Sequence, residues 1–221
     1  MVQPIRQDRA AQGELFIWTD IDPAYENDFN QWYDREHMEE RAAIPGFKWA
    51  RRYKTPTGDR RYLAVYRTES VDVFTSEKYR QAFESQTEWS ITNFGRMRNT
   101  NRRVMVVSPL AGVGTGAAVA LIPLGNIETA EKVAQMAQRL IDDVDGVLSL
   151  RVLTPEPELS TPLPSENAEN RVLEPILLVD TTTEPVAAAV SQLITKDLGI
   201  PEANTSTFSL LWDLQSADLI S

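Results

Sequence analysis

The sequence predicts an α+β chain made of two consecutive βαββαβ units, each in the ferredoxin-like arrangement. Three observations predict it. Segments of period two and of period 3.6 follow one another as strand, helix, strand, strand, helix, strand. The same order then repeats in the rest of the chain. A short glycine-rich joint, AGVGTG (111–116), separates the two series. The units are therefore placed at 1–110 and 111–221, and order of elements rather than residue identity carries the duplication.

In the first unit GELFIWTDI (13–21) alternates as a strand, and Asp22-Pro23 starts a helix with proline in its first turn. Apolar Phe29, Trp32, Tyr33 and Met38 suit a helix over 24–43, which Pro45-Gly46 ends. FKWARRYKT (47–55) and RRYLAVYRT (60–68) read as strands joined by the turn PTGD. Residues 71–100 suit helix in two pieces, and RRVMVVSPL (102–110) supplies a fourth strand. In the second unit the strands are 117–124, 147–155, 171–181 and 207–214, with helices at 128–143 and 185–198. A polar, proline-rich loop, 156–169, has the composition of a lid or a linker.

Composition narrows the function. A formal charge of −10 argues against a nucleic-acid or anionic-membrane surface. No cysteine is present, which removes disulfides, thiolate nucleophiles and Cys-ligated metal centres. No run approaches a membrane span, MVQPIRQDRAAQGE lacks the apolar core of a secretory signal, and no glycine-rich phosphate loop follows a strand. The expectation is a cytoplasmic protein handling a small molecule.

The two halves differ chemically. Residues 1–110 hold 17 Lys plus Arg against 16 Asp plus Glu, whereas 111–221 hold 5 against 16. Of 18 aromatic residues, 16 lie in the first half. The second half reads as a scaffold, although an aliphatic core with a solubilising acidic surface accounts for the same numbers.

The only histidine, His37, lies in NQWYDREHMEER (30–41). On a helix Tyr33, His37 and Arg41 share a stripe at the edge of the face turned to the sheet. An imidazole placed there exchanges protons near neutral pH. Glu36 and Glu40 would favour its charged form and burial against aromatics its neutral one. A packing or surface histidine fits the spacing too, because no triad or second imidazole accompanies it. For the same reason no metal site is expected.

The strands support a pocket. Phe47, Trp49, Arg51 and Tyr53 alternate to one face of their strand, Tyr62, Ala64 and Tyr66 to one face of the next, and Phe16, Trp18 and Asp20 to one face of the first. If those faces form one wall, Trp18, Trp49, Arg51, Tyr53 and Tyr66 would hold a planar apolar ligand with a cation near its oxygen. An aromatic core would look the same.

Residues 20–55 resemble the EthD-like and related families of the dimeric α+β barrel superfamily. The matching residues are Phe29, Trp32, Tyr33, His37, Pro45, Gly46 and Phe47. The resemblance covers about 13–110, and the second half follows it only in order of elements. It implies two ferredoxin-like units closing a barrel within one chain, as a fused pseudo-dimer, with a homodimer of whole chains possible. It carries over His37 as the catalytic candidate and Tyr33 as its helper. The equivalent second helix, IETAEKVAQMAQRLIDDVDG, has no aromatic and no histidine.

Together these readings predict a cofactor-independent lyase or isomerase acting on a small hydrophobic or aromatic compound in catabolism. His37 would be general acid or base, with Arg51 or Tyr53 steadying an oxyanion. Two alternatives remain: a haem- or oxygen-dependent monooxygenase with His37 as axial ligand, and a non-catalytic or stress-related ligand-binding barrel.

Overall fold

The computed structural model describes residues 2–169 and 171–219. Its strands are β1 (Gly13–Ile21), β2 (Phe47–Lys54), β3 (Tyr62–Thr68), β4 (Met97–Gly112), β5 (Ala118–Pro123), β6 (Val147–Pro155), β7 (Ile176–Thr181) and β8 (Ser206–Gln215). All pair antiparallel into one closed barrel, in the order β1-β3-β2-β8-β5-β7-β6-β4. Within each series of four the order is the same: fourth, first, third, second. The β2–β8 and β4–β6 ladders join the two series. This is the closed α+β barrel that the resemblance of 20–55 implied.

Local chemistry sets the helices. Asp22 accepts from the Ala24 N–H ahead of a turn at Pro23–Tyr25, and α1 (Glu26–Trp32) follows. The helix then widens into one π turn, Tyr33–His37, with Met38 N–H bonded to Tyr33 C=O, and continues as α2 (Met38–Ala42). Ser76 caps α3 (Glu77–Glu84) and Thr87 caps α4 (Glu88–Arg96). Asn126 caps α5 (Ile127–Asp143), and Thr183 caps α6 (Glu184–Leu198), which Gly199 ends with φ of 68°. β4 begins at Met97, earlier than its pattern suggested, because Asp20 and Ile21 of β1 offer partners to Arg98 and Met97. β7 begins at Ile176, later than expected, because Pro175 has no N–H for a ladder.

Three apolar cores result. One lies between the first sheet and α1–α4, one between the second sheet and α5–α6, and one inside the barrel. Strand register decides which face goes where, and it corrects the single aromatic wall expected from alternation. Phe16 pairs with Val65, and Trp18 with Leu63, so the Phe16/Trp18 face shares a side with Leu63 and Val65 rather than with Tyr62 and Tyr66. Tyr53 likewise pairs with Leu63 and Arg51 with Val65. A bulge between Phe47 and Trp49 puts Phe47 under the helices while Trp49 and Tyr53 turn into the barrel.

The barrel interior also holds charge. Glu14, fully buried, accepts from Arg67 at 2.9 Å and from Arg151 at 3.2 Å, and Arg151 reaches on to the buried Asp180. The network crosses from β1 and β3 to β6 and β7, tying the two series together. Burial alone would raise the Glu14 pKa; the guanidinium charges of Arg151 and Arg67 outweigh it and hold the group below the ordinary carboxylate value.

Candidate functional site

The π turn is where sequence becomes site. Such single wide turns cost backbone regularity and recur at functional positions. Here the turn carries both Tyr33 and His37 inward, buried at 2% and 5% exposure. Trp32 fixes the imidazole from one side, with ring centroids 4.2 Å apart and planes tilted by 30°. Tyr33, Phe94 and Tyr66 meet it edge-on at 5.3, 5.6 and 6.3 Å. Trp32 is itself held by its indole N–H donating to Ser90 Oγ at 3.0 Å. Glu36 accepts from Thr87 at 2.6 Å and from Ser90 at 3.3 Å, so that carboxylate locks the turn to α4.

His37, Tyr33 and Tyr66 open onto a cavity of about 510 Å³ between the first sheet and its helices. Leu15 and Ile17 of β1 and Phe83, Ile91 and Phe94 of α3–α4 supply apolar walls. Two guanidinium groups also line it, Arg41 and Arg102. Among the described residues neither forms a salt bridge; Arg41 donates to Gln86 Oε1 at 3.0 Å and Arg102 to the Tyr79 hydroxyl at 3.0 Å. Among the described residues no carboxylate lines this cavity. A larger hollow of about 730 Å³ at Trp18 is mostly polar and holds no histidine. The smaller one combines an apolar wall with a few convergent polar groups, the usual form of a small-molecule site.

Electrostatics fixes the protonation states. Burial, then the charges of Arg41 and Arg52, push the His37 pKa well below 6.5, so the imidazole is neutral at pH 7. Burial therefore wins over the nearby carboxylates. Its Nδ1 is sealed from solvent without a hydrogen-bond partner. Burial also raises the Tyr33 phenol and raises that of Tyr66 well above its ordinary value. The two hydroxyls influence each other's ionisation, yet Tyr66 Oη makes no hydrogen bond of proper geometry. Arg52 lies behind, stacked 4.1 Å over the Tyr33 ring. A neutral base, two tyrosines and two cations thus line one apolar space. That set can take a proton from a weakly acidic ligand and hold the resulting oxyanion.

Of the residues named from sequence, the fold brings His37, Tyr33 and Tyr66 together. Trp18, Trp49, Arg51 and Tyr53 are not with them. Trp49 and Tyr53 pack in the barrel interior, Arg51 stacks 3.8 Å over Trp49 while bonding Asp213 at 2.9 Å, and Trp18 lines the polar hollow. Arg102, Tyr79 and the loop residues Pro162, Leu163 and Pro164 were missed. Arg102 carried a signal, since it alternates with apolar Val104 and Val106 on the helix-facing side of β4. Among the described residues no group of His, Cys, Asp and Glu could hold a metal ion, and no helix is long and apolar enough to cross a membrane.

No family model and no curated protein matches the chain. Solved structures do. An anthrone oxidase-like protein superposes with a TM-score of 0.63 at 10% identity, covering 95% of this chain and 94% of that one. A protein of Fusobacterium nucleatum named as a monooxygenase gives 0.54 at 10% identity, with 95% and 96% covered. A chlorite dismutase mutant of Candidatus Nitrospira defluvii, in complex with cyanide, gives 0.53 at 9% identity, with 93% and 92% covered. These neighbours carry oxidase, monooxygenase and dismutase names, which overturns the expectation of a cofactor-independent lyase or isomerase. In architecture the chain is a closed eight-stranded α+β barrel, the fold it shares with these structures, and all eight strands come from one polypeptide.

Proposed function

We propose that the chain is an oxygen-dependent oxidase or monooxygenase acting on a small apolar compound with a weakly acidic C–H or O–H group. The observation that carries the site is the cavity at His37, where a neutral imidazole and two guanidinium groups without carboxylate partners meet an apolar wall. The names of the structural neighbours support the oxygen chemistry. His37 accepts the substrate proton, with Tyr33 beside it. Arg41 and Arg102 hold the enolate or phenolate oxygen. Ionisation makes the substrate electron-rich, and the apolar walls keep water from the ionised form. Conversion of one activated CH₂ to a carbonyl by one O₂, with release of one water, balances its electrons without another reductant. In this reading the EthD-like resemblance of 20–55 marks the half of the fused pair that carries the site, and residues 111–221 are its scaffold.

A second reading is favoured by the donor set itself. Haem fits the residues present: His37 is the one imidazole, uncharged and in the cavity wall, and Arg41 and Arg102 suit propionates. Bound there, haem would supply oxygen or peroxide activation. It would take up most of the cavity, leaving room for a small oxidant rather than an organic substrate.

An oxygen electrode with a panel of phenols and aryl ketones bearing an acidic CH₂ tests the first reading. Wild type consumes oxygen with a matching carbonyl product, and His37→Ala is slower by about 10²–10⁴-fold. Occupancy of the cavity by these compounds without oxygen uptake overturns it. A Soret band after haem titration, lost in His37→Ala, selects the second reading.

A further inference from the structure

The loop between β6 and β7 belongs to the acidic second half, yet its residues Pro162, Leu163 and Pro164 form part of the wall around His37 in the first half. The segment is held at both ends. Upstream, Ser160 is fully buried; its Oγ accepts from Val104 N–H at 3.0 Å and donates to Glu156 C=O at 2.8 Å. Arg102 Nη1 donates to Leu159 C=O at 3.1 Å, to Thr161 C=O at 3.0 Å and to Thr161 Oγ1 at 3.1 Å. The other end of the same guanidinium holds the Tyr79 hydroxyl in the cavity wall. Downstream, Ser165 Oγ bonds Thr100 Oγ1 at 2.7 Å. The Glu166 side chain, only 3% exposed, takes Arg103 at 2.5 Å and Arg171 at 2.9 Å. Prolines on both sides of Leu163 restrict the backbone between these anchors.

A short, proline-stiffened run pinned to β4 at each end has a defined position, so its apolar side chains set a fixed boundary to the cavity. We propose that residues 161–165 are the specificity-determining wall of the His37 site, supplied by the half of the chain that has no histidine. The proposal rests on the preceding reading of that cavity as the binding site. Leu163 limits the length of an apolar ligand, and Arg102 couples the wall to the polar end of the cavity. The second half is then more than a partner that closes the barrel, because the site is incomplete without it.

Two measurements test this. The first is calorimetric binding of 4-alkylphenols from ethyl to hexyl, used as probes. Leu163→Ala moves the preferred chain length up. Leu163→Trp moves it down, weakening the hexyl compound by about tenfold or more while leaving the ethyl compound near wild type. The second needs no ligand. His37 is the only histidine, so its carbethoxylation by diethyl pyrocarbonate is read without interference. Replacing 161–165 by a Gly-Ser run of equal length raises that rate severalfold, with circular dichroism and Tm reporting that the barrel is intact. An unchanged rate overturns the proposal. So does an unchanged order of preference in the Leu163 variants of a protein that binds these phenols. If no phenol binds wild type while carbethoxylation still responds to the segment, the functional reading falls and the wall stands.

Discussion

Arg151→Met removes the cation at the centre of the charge network inside the barrel. Arg151 is 7% exposed and serves both Glu14 and Asp180, which are fully buried. Without it, two carboxylates remain in the interior with Arg67 as the one cation bonded to Glu14. Breaking a buried ion pair by deleting one partner costs about 3–5 kcal/mol, because the remaining charge stays desolvated. A domain of ordinary stability has about 5–15 kcal/mol in total, so the variant loses a large share. With a urea m-value of about 2–3 kcal/mol/M, the midpoint falls by about 1–2.5 M. The pH dependence identifies the cause. In wild type the Glu14 pKa is held below that of the unfolded chain, so its contribution is present above about pH 4.3 and is lost on acidification. In the variant the same carboxylate has an elevated pKa, and its protonation relieves the penalty as pH falls. The gap between wild type and variant therefore narrows from pH 7 to pH 4. Replacing all four residues by apolar ones of similar volume recovers most of the loss. A deficit under about 1 kcal/mol, or one that stays constant with pH, refutes the reasoning.

Three further outcomes follow from the site and its frame. The imidazole of His37, followed by NMR, titrates well below 6.5; because the folded pKa is depressed, stability is undiminished above that value and falls as pH drops from 6.5 toward the folded pKa, and a normal titration would place the ring in water. Trp32→Phe leaves Ser90 Oγ without its indole donor and thins the contact with His37, lowering stability by about 1–3 kcal/mol in chemical denaturation and accelerating carbethoxylation of the histidine. Gly116→Ala would bring a Cβ within 1.8 Å of Thr181 C=O, a backbone atom that cannot swing aside, so the variant is recovered poorly and melts earlier; wild-type Tm would contradict the packing.

Much of the barrel was legible because each of its elements has its own periodicity and punctuation. Asp22-Pro23 started the first helix and Pro45-Gly46 followed its end, as local chemistry requires. His37 and Tyr33 could be paired from spacing alone, and Tyr66 could be placed on their side of the sheet. Trp49, Arg51 and Tyr53 could not be placed. Alternation says that they share a face, but only the pairing of Tyr53 with Leu63 says that the face is the barrel interior. The π turn was equally hidden, since YDREH fits an ordinary helical turn and the widening appears only with Trp32 and Glu36 fixed against α4. The wall at Leu163 lies 126 positions from His37, a contact that no local pattern encodes.

The closure of the barrel has a consequence for biogenesis. β2 pairs with β8, and Arg51 meets Asp213 across that seam. While a ribosome is still translating the middle of the chain, β2 has an open hydrogen-bonding edge with no native neighbour. Nascent copies are thus vulnerable to sticking edge to edge until the final strand emerges, and chaperone engagement should concentrate in that interval of synthesis.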